Sequence, residues 1–228
     1  MSKQASIAQA PALEYDRALD VLRQFRGARR ARSRTAEYCE LCSAELHHDH
    51  AHLVELASRQ IVCACDACAV LFDGQERSKF KRVPRDTHAL PGFKMSDAQW
   101  EGLVIPINLA FFFRSSLEGR MIAFYPSPAG AVESLLTLDA WNAIVEDNPE
   151  LRQLRPDVEA LLVNRIGNSI EHPPEYFIAP IDECYKLVGL IRAHWKGLSG
   201  GSEVWTEIGK FFAELRLKSE PIRGGANA

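Results

Sequence analysis

Five of the six cysteines, Cys39, Cys42, Cys63, Cys65 and Cys68, fall within thirty residues. Four of them form two CxxC pairs, Cys39-x2-Cys42 and Cys65-x2-Cys68, separated by the twenty-two residues 43–64. Two residues between thiols let one tight turn aim both sulfurs at a single ion, while backbone N–H groups of the turn donate to those sulfurs. Two such turns, brought together by an intervening hairpin, complete a tetrahedral S4 site. The competing reading is a pair of redox dithiols or inert thiols. A thioredoxin-type site needs one CxxC beside a βαβ pattern, and here two occur without it. The expected ligands of one metal ion are therefore Cys39, Cys42, Cys65 and Cys68. Cys63 is a fifth sulfur, more than a tetrahedron takes, and is expected either behind the ligands or as an alternate ligand in place of Cys65. Tetrahedral S4 suits zinc, the commoner occupant of such ribbons, which would shape the fold. It also suits iron, which would pass single electrons. The spacing fits neither common ferredoxin pattern.

Between the pairs lie His47, His48, His50 and His52. On a β-hairpin, His48, His50 and His52 would share a face and make a candidate second site; the plainer reading leaves them exposed or supporting the ligands. CxxC, then Asp49-His50, then CxxC also resembles, loosely, an HNH nuclease, in which the His is a general base beside a divalent ion. The gap from His50 to Cys65 is short for that, and no well-placed Asn and second His follow. Elsewhere chemistry is sparse. GLSGG (197–201) lacks the Lys-Ser/Thr of a phosphate loop and reads as a tight turn between helices. Cys184 sits on an apolar helix face and reads as core. His172 and His194 have no evident partner, and Asp182 and Glu183 are accounted for by helix capping and dipole. No active site is expected in residues 95–220.

The elements that must position the cysteines follow from patterning. The chain has 228 residues, 46% hydrophobic and 25% charged, with a formal charge of −3. That is globular composition without a global basic field. Too few cysteines are present for a disulfide scaffold. No apolar stretch near the N-terminus marks a secretory signal, and the longest apolar run, 102–113, holds Pro106 and Asn108 and is too short to cross a membrane. A cytoplasmic protein with reduced thiols is expected. Residues 13–31 carry a helical pattern in a strongly basic segment that includes Arg23–Arg34, and 77–85 make a second basic run. Each is either a solvated face or a contact for an acidic partner or nucleic acid. Alternation at His50–Leu56 and the run 59–63 suit two strands joined by a turn. Downstream, 103–115, 120–126, 133–138, 157–166 and 175–181 read as strands, and 138–148 as a helix. Asp182 and Ser202 are expected to cap two closing helices.

CELC, HAHLVE and CACDACAVLF, joined to DVEALLVNR and the block from Tyr176 to Trp205, together resemble an uncharacterised bacterial family encoded beside nickel–iron hydrogenases of the actinobacterial type. The similarity runs from about Glu37 to Leu215. It implies a rubredoxin-like site and a role in hydrogenase assembly, maturation or electron transfer, with hydrogenase subunits or maturation proteins as partners.

The expected fold is α+β: a small metal-binding ribbon attached to a larger domain with a mostly antiparallel sheet and two C-terminal helices. The expected division is a tail and basic helix (1–35), the ribbon (36–75), a basic linker (76–94), the α+β domain (95–220) and a short tail (221–228). A non-enzymatic accessory protein is the leading expectation. A zinc-ribbon adaptor for nucleic acid or an acidic protein is the alternative, and the nuclease the third.

Overall fold

Two antiparallel arrangements organise the chain in a computed structural model that describes residues 36–73, 78–134, 138–167, 169, 173–197 and 200–221. The first is a three-stranded sheet of order β2-β1-β3, built from β1 (Ala51–Glu55), β2 (Ile61–Ala64) and β3 (Phe80–Arg82). Helix α1 (Asp66–Phe72) follows β2 directly. The second is a seven-stranded sheet of order β10-β4-β9-β8-β5-β6-β7. Its strands are β4 (His88–Ala89), β5 (Leu109–Arg114), β6 (Met121–Ser127), β7 (Gly130–Ser134), β8 (Glu159–Asn164), β9 (Glu175–Pro180) and β10 (Glu220–Pro221). All its pairings are antiparallel except β10 with β4. Helices α2 (Asp97–Gly102), α3 (Leu138–Asp147), α4 (Ile181–His194) and α5 (Gly201–Lys218) complete the described elements, with a 3-10 turn at Pro149–Gln153. The fold is α+β with two C-terminal helices, as the patterning predicts.

The central strands read as continuous apolar runs because both faces of the large sheet are covered. Leu109, Phe111 and Phe113 of β5, Leu162 of β8 and Phe177 of β9 join one core with Leu187, Ile191, Ile208 and Phe212 of α4 and α5. The alternate residues Ala110, Phe112, Leu161, Val163 and Ile178 face the other way. There they pack with Trp100 of α2 and with Trp141 and Ile144 of α3. The period-2 alternation of side chains thus splits each strand between two cores.

Several boundaries differ from the sequence reading. The strand expected over 103–115 begins only at Leu109: Ser96 and Gln99 form a reciprocal capping box for α2, Leu103 ends that helix, and Val104 turns the chain at φ +54°. The break expected at 127–131 is a tight hairpin turn, with Ser127 paired to Gly130. The third strand, expected over 133–138, therefore lies earlier, at Gly130–Ser134. Residues 135–137 lie outside the described residues, as do 1–35 with the expected basic helix, His172, Leu198 and Ser199. Asp182 and Ser202 are not N-caps. Pro180 and Gly200 hold those positions, because α4 leaves β9 without a loop and α5 starts from a left-handed glycine.

The segment 76–94, expected as a linker, supplies β3 to the small sheet and β4 to the large one. The small sheet is correspondingly tied to the large core. Val54 of β1 and Val83 after β3 are buried in the core that holds α4 and α5. Lys81 Nζ meets Asp157 Oδ2 at 2.5 Å, and Asp157 Oδ1 accepts from the Ser116 backbone N–H at 2.8 Å. Arg59, at the tip of the β1–β2 hairpin, pairs with Glu118 and Glu133.

Candidate metal centre

Each CxxC pair sits on a different kind of turn. The first is a loop closed by Cys39 N–H donating to Ala44 O at 2.8 Å and Ser43 N–H to Cys39 O at 2.7 Å, with Ser43 in the left-handed region at φ +62°. The second is a strand-to-helix junction: Cys65 caps α1 in an extended conformation and Cys68 lies in its first turn. The two turns are fastened through β2. Glu40 N–H donates to Cys63 O at 2.9 Å, and Cys63 N–H returns to Glu40 Oε1 at 2.8 Å.

This brings the Sγ atoms of Cys39, Cys42, Cys65 and Cys68 within 4.8 Å of one another, a group that can hold a metal ion. Cys42 Sγ and Cys65 Sγ stand 3.7 Å apart. A tetrahedron with metal–sulfur bonds of about 2.3 Å has sulfur–sulfur edges of about 3.8 Å, so the spacing fits the ion the chemistry suggests. The thiols are free, not disulfide-bonded. Cys39 and Cys68 are buried among Ala51, Leu53, Ala64 and Ala69, and Cys42 is exposed.

The four sulfurs are electrostatically unequal. Burial raises the Cys39 thiol, but hydrogen bonds from the backbone N–H groups of Cys65, Cys42 and Leu41 outweigh it and bring the pKa down to about 6. For Cys68, burial acts together with the thiols of Cys42, Cys65 and Cys39 to push it up to about 12. Cys42 is helped toward thiolate by the backbone at Ala44, yet its neighbours Cys39 and Cys65 leave it above the ordinary thiol range. One sulfur is thus primed as an anion, and the full set of four waits on a cation to offset its charge.

Cys63 does not join this group. The pleat puts Ala64 on the cysteine face of β2 and Cys63 on the other, directly opposite His52 of β1. There Cys63, His50 and His52 each bring a ligand atom within 4.8 Å of the others. The expected grouping of His48 with His50 and His52 is therefore altered: His47 and His48 are exposed, and Cys63 takes the third place. Sequence reasoning missed this trio. Its signal was the strand register, which sets Cys63 across from His52. Asp49, compared above with a nuclease motif, is exposed and pairs with Arg85 at 3.1 Å, while His50 packs edge-on against His52.

Of the other residues weighed above, Cys184 is fully buried, and burial holds its thiol far above the usual range. His194 pairs with Glu203 at 3.0 Å. In the second basic run, Lys81 and Arg85 are committed to Asp157 and Asp49. Among the described residues no helix is long and apolar enough to cross a membrane.

The class so defined is an α+β protein whose small ribbon sheet carries a four-cysteine cluster able to hold a metal. The chain belongs to the family of unknown function DUF5947, which matches residues 38–219. That span contains both cysteine pairs, Cys63, the histidines, both sheets up to β9 and both C-terminal helices. No curated protein and no solved structure matches the chain.

Proposed function

We propose that Cys39, Cys42, Cys65 and Cys68 bind one zinc ion, and that the protein is a non-enzymatic accessory in the assembly or maturation of a nickel–iron hydrogenase. The observation that carries the metal reading is the convergence of four sulfurs within 4.8 Å on two turns that the backbone itself locks together. A set of four thiolates leaves no open position for substrate, which suits a structural ion better than a catalytic one. The hydrogenase reading rests on the resemblance carried by the cysteine cluster and the block from Tyr176 to Trp205.

Beside the cluster, Val70 and Leu71 of α1 are 67% and 59% exposed. Apolar side chains presented next to a metal site offer a surface that a protein partner would cover. Hydrogenase subunits or maturation proteins are the proposed partners. The same four sulfurs would accept iron, and the exposed Cys42 would then place an electron-transfer centre at the surface.

Metal analysis and an optical spectrum of protein purified anaerobically from its native host test this. The expected protein is colourless, and a Cys39→Ser/Cys42→Ser double variant loses one zinc per chain. A visible band that bleaches on reduction would replace zinc by iron and assembly by electron transfer. Unchanged metal content in the double variant would overturn the site. Tagged protein should co-purify with hydrogenase subunits. Tight, salt-sensitive nucleic-acid binding in their place would favour the adaptor.

A further inference from the structure

We propose that His50, His52 and Cys63 form a second metal site, on the opposite face of the ribbon from the four cysteines, which takes one ion of the zinc class and keeps a fourth coordination position open. The proposal is independent of the four-cysteine reading.

The register of the β1–β2 hairpin builds the site. His52 and Cys63 are directly paired across the strands, and His50 precedes His52 by two residues and so falls on the same face. Ala51, Leu53 and Ala64 face the other way, toward Cys39 and Cys68. One ligand atom from each of the three residues lies within 4.8 Å of the other two. Two imidazoles and one thiolate are a borderline-to-soft donor set, suited to zinc or copper and poor for magnesium or calcium.

The hydrogen bonds fix which nitrogens can ligate. His50 Nδ1 lies 2.9 Å from the carbonyl oxygen of His47. A carbonyl only accepts, so Nδ1 carries the proton and the lone pair sits on Nε2. His52 Nδ1 lies 2.6 Å from Asp182 Oδ2, and that carboxylate likewise takes the Nδ1 proton and leaves Nε2 as the basic nitrogen. Metal-bound histidines ordinarily donate their second ring N–H to a carboxylate or a backbone carbonyl, which sets the tautomer and raises ligand basicity. Here one histidine has each kind of support. Asp182 is itself held: its Oδ1 accepts from the Glu183 N–H at 2.9 Å in the first turn of α4. An ion at this site would therefore be oriented from the large core as well as from the ribbon. Three protein ligands leave one tetrahedral position for water or a partner's side chain, and the 31% exposure of the His52 side chain gives that position access.

The test uses the full chain, stripped of metal under reducing, anaerobic conditions and titrated with Co2+ as the probe, then with Zn2+. The wild type should bind two ions per chain. Cys63→Ser and His52→Ala should each bind one, with the four-sulfur Co2+ absorption unchanged; that absorption also reports that the ribbon is folded. His50→Ala at the edge of β1 should behave likewise. Asp182→Asn keeps all three ligands and should weaken the second ion about 10–100-fold. The Cys39→Ser/Cys42→Ser double variant should retain one ion with a single-thiolate spectrum. A wild type whose only ion gives the four-sulfur spectrum, or a second ion that survives both Cys63→Ser and His52→Ala, would overturn the proposal. Loss of only the four-sulfur signal in the wild type would overturn the four-cysteine reading and leave this one standing.

Discussion

The unequal thiols of the four-cysteine cluster determine how it responds to pH. Cys39, brought down to about 6 by backbone N–H groups that outweigh its burial, is already a thiolate at pH 7.5. Cys68, pushed up to about 12 chiefly by burial, and Cys42, raised by its thiol neighbours, are still protonated there. Metal competes with those protons, so loading at pH 7.5 should expel at least two per ion, and apparent affinity should fall by at least about 100-fold for each pH unit of acidification from pH 8 to pH 7. Below about pH 6 Cys39 takes up a proton as well, and the fall should steepen. Competition against a chelator across this range measures the slope, and a flat profile would contradict the assignment of protons. A second residue joins the ribbon to the large sheet. Asp157 is buried at φ +72°, paired with Lys81 and accepting from the Ser116 N–H. Asp157→Ala loses both partners and strains the backbone, for about 2–4 kcal/mol of stability. Asp157→Asn keeps the acceptor and the tolerance for positive φ and should cost about 1 kcal/mol; denaturant melts compare the two. At this scale the sequence disclosed much. The four sulfurs that converge follow from CxxC spacing alone, because a turn of that size is a local object. The place of Cys63 does not, since its side of the sheet depends on pairing with a strand ten residues earlier. Asp157 was invisible for the same reason, its partners being 76 and 41 residues away.

At the level of elements, legibility tracks how far a local pattern determines local geometry. The helices α3, α4 and α5 and the strands β8 and β9 fall where their apolar periodicity puts them. The starts of α4 and α5 were misplaced, because a side chain suited to capping lies two residues away from a backbone geometry that needs none. Gly200 shows what that geometry costs. It holds φ +86° before α5, and a Cβ there would lie 2.8 Å from Val204 Cγ1 and 3.1 Å from Trp195 Cε3. Val204 is fully buried and cannot retreat. Gly200→Ala should destabilise the protein by about 2–3 kcal/mol, which lowers Tm by roughly 4–12 °C in a chain of this size. Gly189 gives the opposite case. It sits exposed in the middle of α4 with open space where a Cβ would go. Gly189→Ala should raise stability by about 0.5–1 kcal/mol, through the smaller entropy loss of alanine in a helix. Thermal melts of the two variants should move in opposite directions, and a common direction would refute the steric account of Gly200.

Across the whole molecule the two sheets differ in what sustains them. The large sheet has apolar cores on both faces, assembled from β5, β6, β8 and β9 with four helices. The ribbon's own core comprises Cys39, Ala51, Leu53, Ala64, Cys68 and Ala69, with partly buried neighbours such as Phe72 and Phe80. Two of those six buried residues are thiols and three are alanines, so little apolar area is gained there without an ion. A structural zinc contributes about 10–16 kcal/mol in small modules, comparable to the whole stability of a domain, about 5–15 kcal/mol. Removal of metal should therefore open the ribbon locally and leave the large sheet intact. The opening should also be graded. β1 remains tethered through Val54 in the large core and through His52 to Asp182, whereas the turn at 38–45 is fastened to β2 and helix α1 packs only on the ribbon's own strands, with Phe72 edge-on to Phe80 of β3. Hydrogen exchange read by mass spectrometry, with and without a chelator, should show protection falling by about a thousandfold or more in peptides covering 38–46 and 63–72. It should fall less in 51–55 and stay unchanged in 109–114 and 159–164. A uniform loss across both sheets would mean that Val54, Val83 and Lys81 couple ribbon and core into one cooperative unit, with the metal governing the stability of the entire fold.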